Sequence, residues 1–277
     1  LFPYTTLFRS YPLHQSRGLL IASGLVGAGM VFALTYLFFM TVGSVEYDNE
    51  EKTRRLARAH ARLKVYADRI REDLERARVV QQNLLPDLAS MPRRDQLEWA
   101  AAFVPEEEVG GDYFDVATLS DGRVAILFSD VSGHGLAAAL VTGMLKTSFE
   151  TWVERDDGDL SGFIPVLNRR LRRITPGTSF AALFLALVDL ERGEVVYANC
   201  GHNPEPLLLA ADGRRVESLD DARCVVLGVF EHITPVVARR GLAPGQVLLF
   251  VTDGLTEARD AGGEMFGIER VAEYALA

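Results

Sequence analysis

From Gly18 to Val45 the chain carries no charged residue, and the stretch Leu19 to Val42 is predominantly apolar. Crossing a hydrocarbon core takes about 20 apolar residues, so a run of this length has few fates. A signal peptide has a shorter apolar region and an A-x-A cleavage site, which is missing here. A buried core helix is the other alternative. The reading taken is a transmembrane helix over 19–42, in which Gly24, Gly27 and Gly29 would let two such helices approach closely. Lys52, Arg54, Arg55, Arg58 and Arg62 follow the run, against Arg17 alone before it. That asymmetry predicts that the C-terminal part lies in the cytosol, beneath a bacterial inner membrane. The first ten residues match the translation of a common sequencing adapter and are set aside as an artefact, so the natural sequence is expected to begin near Tyr11.

Between Glu50 and Leu85 helix formers dominate, and Leu56, Leu63, Ile70, Ala77 and Leu84 recur every seven positions, with Ala67 and Leu74 partly filling a second seam. The pattern predicts a helical coiled-coil connector over 50–85, read as a homodimer contact. A single solvated amphipathic helix is the alternative, because His60 and Gln81 interrupt the second line. Pro86 ends the helix. The net charge of −9 excludes a general nucleic-acid binder, which needs a basic surface. Two cysteines without framework spacing, Cys200 and Cys224, support neither a disulfide scaffold nor a thiolate metal site.

After Pro86, short apolar runs alternate with turn chemistry. Strands are predicted at Trp99–Val104, Arg123–Ser129, Phe180–Asp189, Glu194–Asn199, Pro206–Ala210 and Gln246–Thr252, and helices at Leu136–Val153 and over Leu160 to Ile174. Hairpin-grouped strands with helices outside imply an α+β layered sandwich rather than a parallel βαβ sheet. Two of these strands run into aspartates, Asp130 and Asp253, and a third aspartate, Asp112, follows Gly110 and Gly111. Three carboxylates at strand ends or in loops, without a histidine or cysteine cluster, suit a hard cation such as Mg2+ or Mn2+. They also suit plain turn residues.

The ordered runs Val109-Gly110-Gly111-Asp112-Tyr113-Phe114-Asp115, Ser129-Asp130-Val131-Ser132-Gly133-His134-Gly135, Ala198-Asn199-Cys200-Gly201-His202-Asn203-Pro204 and Thr252-Asp253-Gly254-Leu255-Thr256-Glu257-Ala258 decide between these. Together with the preceding Gln81-Gln82-Asn83-Leu84-Leu85-Pro86, they resemble the motif series of PPM-type metal-dependent protein serine/threonine phosphatases, in the SpoIIE/RsbU-like branch. The resemblance implies an αββα sandwich over 86–277 with two Mn2+ or Mg2+ ions between its sheets. Asp130 would bridge both ions, the Val131 carbonyl would bind one, Asp253 the other, and Asp112 would bind directly or through water, beside the close-approach glycines Gly110 and Gly111. The ions would activate a water for in-line attack on phosphoserine or phosphothreonine, with no covalent phospho-enzyme. The implied partner is a phosphorylated regulatory protein such as an anti-sigma-factor antagonist.

His134 and His202 are read as structural rather than as proton donors, Asp115 and Glu257 as supporting residues at most, and Cys200 as a small packing residue. The family pattern continues past Phe266-Gly267-Ile268-Glu269-Arg270 to an Asp-Asp-x-Thr motif that the sequence as written does not reach. Its second metal is therefore expected to bind poorly. The competing reading is a membrane-anchored pseudophosphatase that binds a phosphoprotein without hydrolysing it.

Overall fold

The computed structural model describes residues 13–276, apart from 106–108, 134, 156, 157, 176 and 178, with side chains along the first helix from Leu25 onward. Residues 1–10, read above as adapter-derived, and His134 lie outside the described residues. The chain divides into two compact units, Leu1–Arg69 and Ile70–Ala277.

Helix α1 (Leu13–Gln82) makes up the described part of the first unit and opens the second. It is the one helix among the described residues long and apolar enough to cross a membrane, with a mean hydropathy of 2.0 in its most apolar window. Phe32, Leu34, Leu37, Phe38 and Phe39 are all exposed. Past Asp48 the surface turns ionic, with i,i+4 pairs Lys52–Asp48 at 2.8 Å and Arg54–Glu50 at 3.2 Å. Each such pair adds only a few tenths of a kcal/mol to a solvated helix. The heptad residues Leu56, Leu63 and Ile70 are exposed.

In the second unit, β1 (Tyr113–Thr118), β2 (Val124–Val131), β3 (Ala181–Asp189) and β4 (Glu194–Cys200) form an antiparallel meander. Two short strands join it at β4: β7 (Arg223–Cys224), parallel, and β8 (Ala238–Gly241), antiparallel. A second sheet has the order β6 (Val216–Ser218), β5 (Leu207–Leu209) and β9 (Val247–Leu249). Strand alternation gives the large sheet two apolar faces. Ala125, Leu127, Val131, Leu183, Leu185 and Leu187 belong to a core shared with α2 (Leu136–Arg155) and α3 (Leu160–Ile174). The intervening Val124, Ile126, Phe184, Ala186 and Val188 pack with Leu208, Leu248 and Phe250 of the second sheet. A short helix α4 (Asp253–Thr256) follows β9, and α5 (Gly267–Leu276) lies against β5 on the far side. The order is therefore helix, sheet, sheet, helix, as an αββα sandwich requires. β3, buried along its whole length, is its central strand.

Five predicted strands and both predicted helices are present with ends shifted by a few residues. The strand at Trp99–Val104 is not: residues 99–104 pair with no strand among the described residues. Its alternating pattern is only half used, since Trp99 packs on the inter-sheet core and donates its indole N–H to the Pro92 carbonyl at 2.8 Å, while Val104 is 90% exposed.

Asp115 is absorbed by the fold rather than by the site. It sits on the same face of β1 as Tyr113 and is 3% exposed. It accepts from the Tyr113 hydroxyl at 2.7 Å and from Lys146 of α2 at 3.0 Å. Burial works against the Lys146 charge, but Asp115 and Glu150 hold its pKa above the ordinary value. Burial and the Asp115 charge push the Tyr113 hydroxyl up as well. Lys146→Met leaves a buried carboxylate without its cation, and is expected to cost about 3 kcal/mol. Thermal unfolding should show a midpoint lowered by about 5–10 °C. A midpoint within a degree of the parent would mean the pair contributes nothing to holding α2 on β1.

Candidate metal centre

The candidate site is assembled from three chain segments that meet at one end of the inter-sheet space. In β2, Leu127, Ser129 and Val131 face the helices, so Asp130 faces the second sheet together with Ile126 and Phe128. In the Asp112 segment, Tyr113 takes the helix-facing position, which leaves Asp112 on the opposite side. The third segment follows β9, where Thr252 is the N-cap of α4 and Asp253 its first residue.

These carboxylates lie within each other's field. Burial, the neighbouring Asp130 charge and, more weakly, Asp253 push Asp112 up to about 6, against the stabilising hydrogen bond it accepts from the Thr252 hydroxyl. Burial and Asp253 likewise raise Asp130. Mutual repulsion among partly desolvated carboxylates is the electrostatic signature of a cation-binding position. The available donors are carboxylate and carbonyl oxygens, without imidazole or thiolate, which is the chemistry of a hard divalent ion. Among the described residues no group of three or more His, Cys, Asp and Glu side chains stands at ion-holding spacing. The three aspartates thus repel one another without forming a closed cage.

The glycines act on backbone. Gly111 accepts the Val131 N–H at 3.2 Å, and a Cβ at Gly111 would lie 2.2 Å from the Val131 carbonyl oxygen. Only glycine permits this approach, which fixes the Asp112 segment against the Asp130–Val131 peptide. Gly110 is held by the last turn of α1: the Gln81 side-chain N–H donates to the Gly110 carbonyl at 2.7 Å, and the Gly110 N–H donates to Gln81 Oε1 at 3.1 Å. The same Gln81 amide donates to Thr142 of α2 at 3.3 Å. Gln81, which interrupts the heptad seam, is 5% exposed and belongs to the globular unit. Its sequence signal was the heptad break itself.

His202, read from the sequence as structural, is packed beside the strand that leads to Asp253, with its ring Nδ1 buried and without a hydrogen-bond partner. It is buried, its backbone N–H donates to Asn199 Oδ1 at 2.7 Å, and its Nε2 lies 3.2 Å from the Val251 carbonyl, two residues before Asp253. Its ring meets Phe128 edge-on at 5.0 Å. Burial lowers its pKa, although Val251 and Asp253 oppose the shift. The ring thus holds the Val251 carbonyl, two residues ahead of Asp253. Glu257 closes the α4 turn through its N–H to the Asp253 carbonyl at 2.7 Å.

The family profile described as Stage II sporulation protein E (SpoIIE) matches residues 120–277. The chain belongs to the SpoIIE family. Among its curated relatives, protein IcfG of Synechocystis sp. is 29% identical over 231 residues, covering 73% of this chain and 35% of IcfG. The phosphoserine phosphatase RsbU of Bacillus subtilis is 26% identical over 204 residues, 74% of this chain and 59% of RsbU. The chain therefore spans less than two thirds of either relative. Among solved structures, the RsbU and RsbW domains of a Mycobacterium tuberculosis protein match with a TM-score of 0.54 at 28% identity, covering 62% of this chain and 47% of that one. The SiaA-PP2C domain of Pseudomonas aeruginosa matches with a TM-score of 0.59 at 23% identity, covering 76% and 82% respectively, and shares the fold. This SpoIIE-family chain is thus related to phosphoserine phosphatases, RsbU and RsbP of Bacillus subtilis among them.

Proposed function

We propose that this SpoIIE-family chain hydrolyses phosphoserine or phosphothreonine on a regulatory protein, with Asp112, Asp130, the Val131 carbonyl and Asp253 holding two Mn2+ or Mg2+ ions. The observation that carries this reading is the repulsion among Asp112, Asp130 and Asp253, three carboxylates brought together from three separate motifs. A divalent pair supplies an activated water and neutralises charge on the transferring phosphoryl oxygens. The chain's own residues do the positioning. Asp130 is anchored in β2 opposite Ala182 of β3, Gly111 sets the depth of the Asp112 segment, and His202 fixes the strand end that delivers Asp253.

The regulatory reading rests on α1. We take 19–42 as the membrane anchor, with the catalytic unit in the cytosol. The exposed Leu56, Leu63 and Ile70 form the seam of a homodimer. The substrate class is a phosphorylated partner-switching protein of the anti-sigma-factor-antagonist kind, by analogy with RsbU.

The deciding experiment is Mn2+-dependent hydrolysis of an aryl phosphate and a phosphoserine peptide, by the chain alone and with the family's Asp-Asp-x-Thr segment appended. Turnover in either form that needs Mn2+ supports the phosphatase. A folded protein that captures the phosphopeptide and never turns it over would establish the binding-module reading instead. Within the same assay, Gln81→Ala strands both backbone groups of Gly110, a loss of about 1–2 kcal/mol. It is expected to raise the Mn2+ concentration for half-maximal effect about tenfold, and an unchanged metal titration would dissociate Gln81 from the site.

A further inference from the structure

Cys200 ends β4 and Cys224 ends β7, and the parallel pairing of these strands sets the two residues directly opposite each other. Both side chains lie on the helix side of the sheet, Cys200 within that core and Cys224 packed against it. Neighbouring strands run about 4.8 Å apart, inside the Cα separation of about 4.4–6.8 Å that a disulfide spans. The two thiols are not equivalent. Cys200 is fully buried in the helix-facing core, whereas Cys224 is partly exposed at the end of a two-residue strand, its sulfur 3.7 Å from the Thr234 carbonyl. The contact with Cys200 lowers the Cys224 thiol to about 7, and the same contact together with burial raises Cys200. Neither sulfur has a part in the metal centre.

We propose that Cys200 and Cys224 are a peroxide-responsive dithiol, with Cys224 as the attacking thiol and Cys200 as the resolving one. The Cys224 thiolate attacks one oxygen of a hydroperoxide, the O–O bond breaks, and Cys224 becomes a sulfenic acid while the other oxygen leaves as water or an alcohol. The Cys200 sulfur then attacks the Cys224 sulfur, the S–O bond breaks, and the departing oxygen takes the Cys200 proton to leave as water. Two thiols lose two electrons to one peroxide. A dithiol reductant reverses the bond by exchange. Transient disulfides of this kind are the ones a reducing compartment retains. The bond would tie β7 to β4 immediately before the Gly201–His202 turn.

The test is peptide mapping of the full chain in detergent micelles after brief treatment with hydrogen peroxide, alkylation of the remaining thiols and tryptic digestion without reductant. The expected product is peptide 193–214 joined to peptide 224–239, lighter by two hydrogens and released by dithiothreitol. With Cys200→Ala, Cys224 is expected to stop at a sulfenic acid trapped by dimedone. With Cys224→Ser, Cys200 is expected to remain a thiol. The native chain decides the matter by itself. Cys224 oxidised to sulfinic acid beside an intact Cys200 thiol, Cys224 joined to a second chain, or both thiols unreacted would each overturn the assignment.

Discussion

Asp130→Asn is expected to remove metal-dependent hydrolysis and at the same time to stabilise the metal-free protein. The two effects have one origin. Asp130 sits on the inter-sheet face of β2, where burial and the Asp253 charge make its ionised form unfavourable. A divalent pair would neutralise that charge and Asp130 would help hold it, so loss of the carboxylate is expected to forfeit several kcal/mol of charge stabilisation, or about a thousandfold in rate. Without metal, the amide removes a repelling charge from Asp112, whose pKa burial and then repulsion raise to about 6.

The sign of the pH dependence follows. A carboxyl whose folded pKa is raised stabilises the fold below its ordinary value, and that contribution is lost as pH rises through the folded value. In chelator, the parent should therefore lose stability between about pH 4 and pH 6, by about 2 kcal/mol once solvent screening is allowed for. Asp130→Asn should flatten this slope. Above pH 6, where Asp112 is ionised without a proton to displace, Mn2+ should raise the parent's unfolding midpoint and leave the variant's unchanged. Thermal scans with chelator or Mn2+ at several pH values read all of this independently of turnover. An Asp130→Asn protein with the parent's Mn2+ response would remove Asp130 from the ligand set.

Gly111→Ala is the second large effect expected. The added methyl would sit 2.2 Å from the Val131 carbonyl oxygen, 3.1 Å from its carbon and 3.2 Å from its nitrogen, all backbone atoms of a central strand. Backbone on both sides cannot yield as a flexible side chain does, so the Asp112 segment must move away from β2 and lose the Val131 N–H bond. Overpacking of this kind costs about 1–3 kcal/mol. A displacement of about 1 Å at a positioned group costs about a hundredfold in rate. Gly110→Ala is the control, because its Cβ would meet nothing closer than 3.9 Å. Equal damage at both glycines would show that general flexibility, and not the approach to Val131, is what the motif needs.

The apolar run, the ordered motifs and the strand periodicities were legible in the sequence because each is set by local chemistry. Leu19 to Val42 has no charge to interrupt a helix, and Val124–Phe128 of β2 and Ala181–Val188 of β3 are continuously apolar because both faces of these strands are covered. Strand-end and turn positions alone left Asp112, Asp130 and Asp253 open to plain turn roles; the ordered series of motifs is what singled them out. Tertiary structure alone decided the rest. Trp99–Val104 has a strand's composition and no pairing neighbour among the described residues, so a propensity that needs a partner is not realised there. Asp115 stands three residues from Asp112 in one motif, yet alternation turns it to Lys146 on the helix side. Gln81 reads as a flaw in a heptad until the fold brings Gly110 to it across 29 residues. Cys200 and Cys224 look unrelated until parallel pairing of β4 and β7 sets them side by side. Each of these depends on which distant segment arrives opposite, a question of sheet register and packing that no local window of sequence contains.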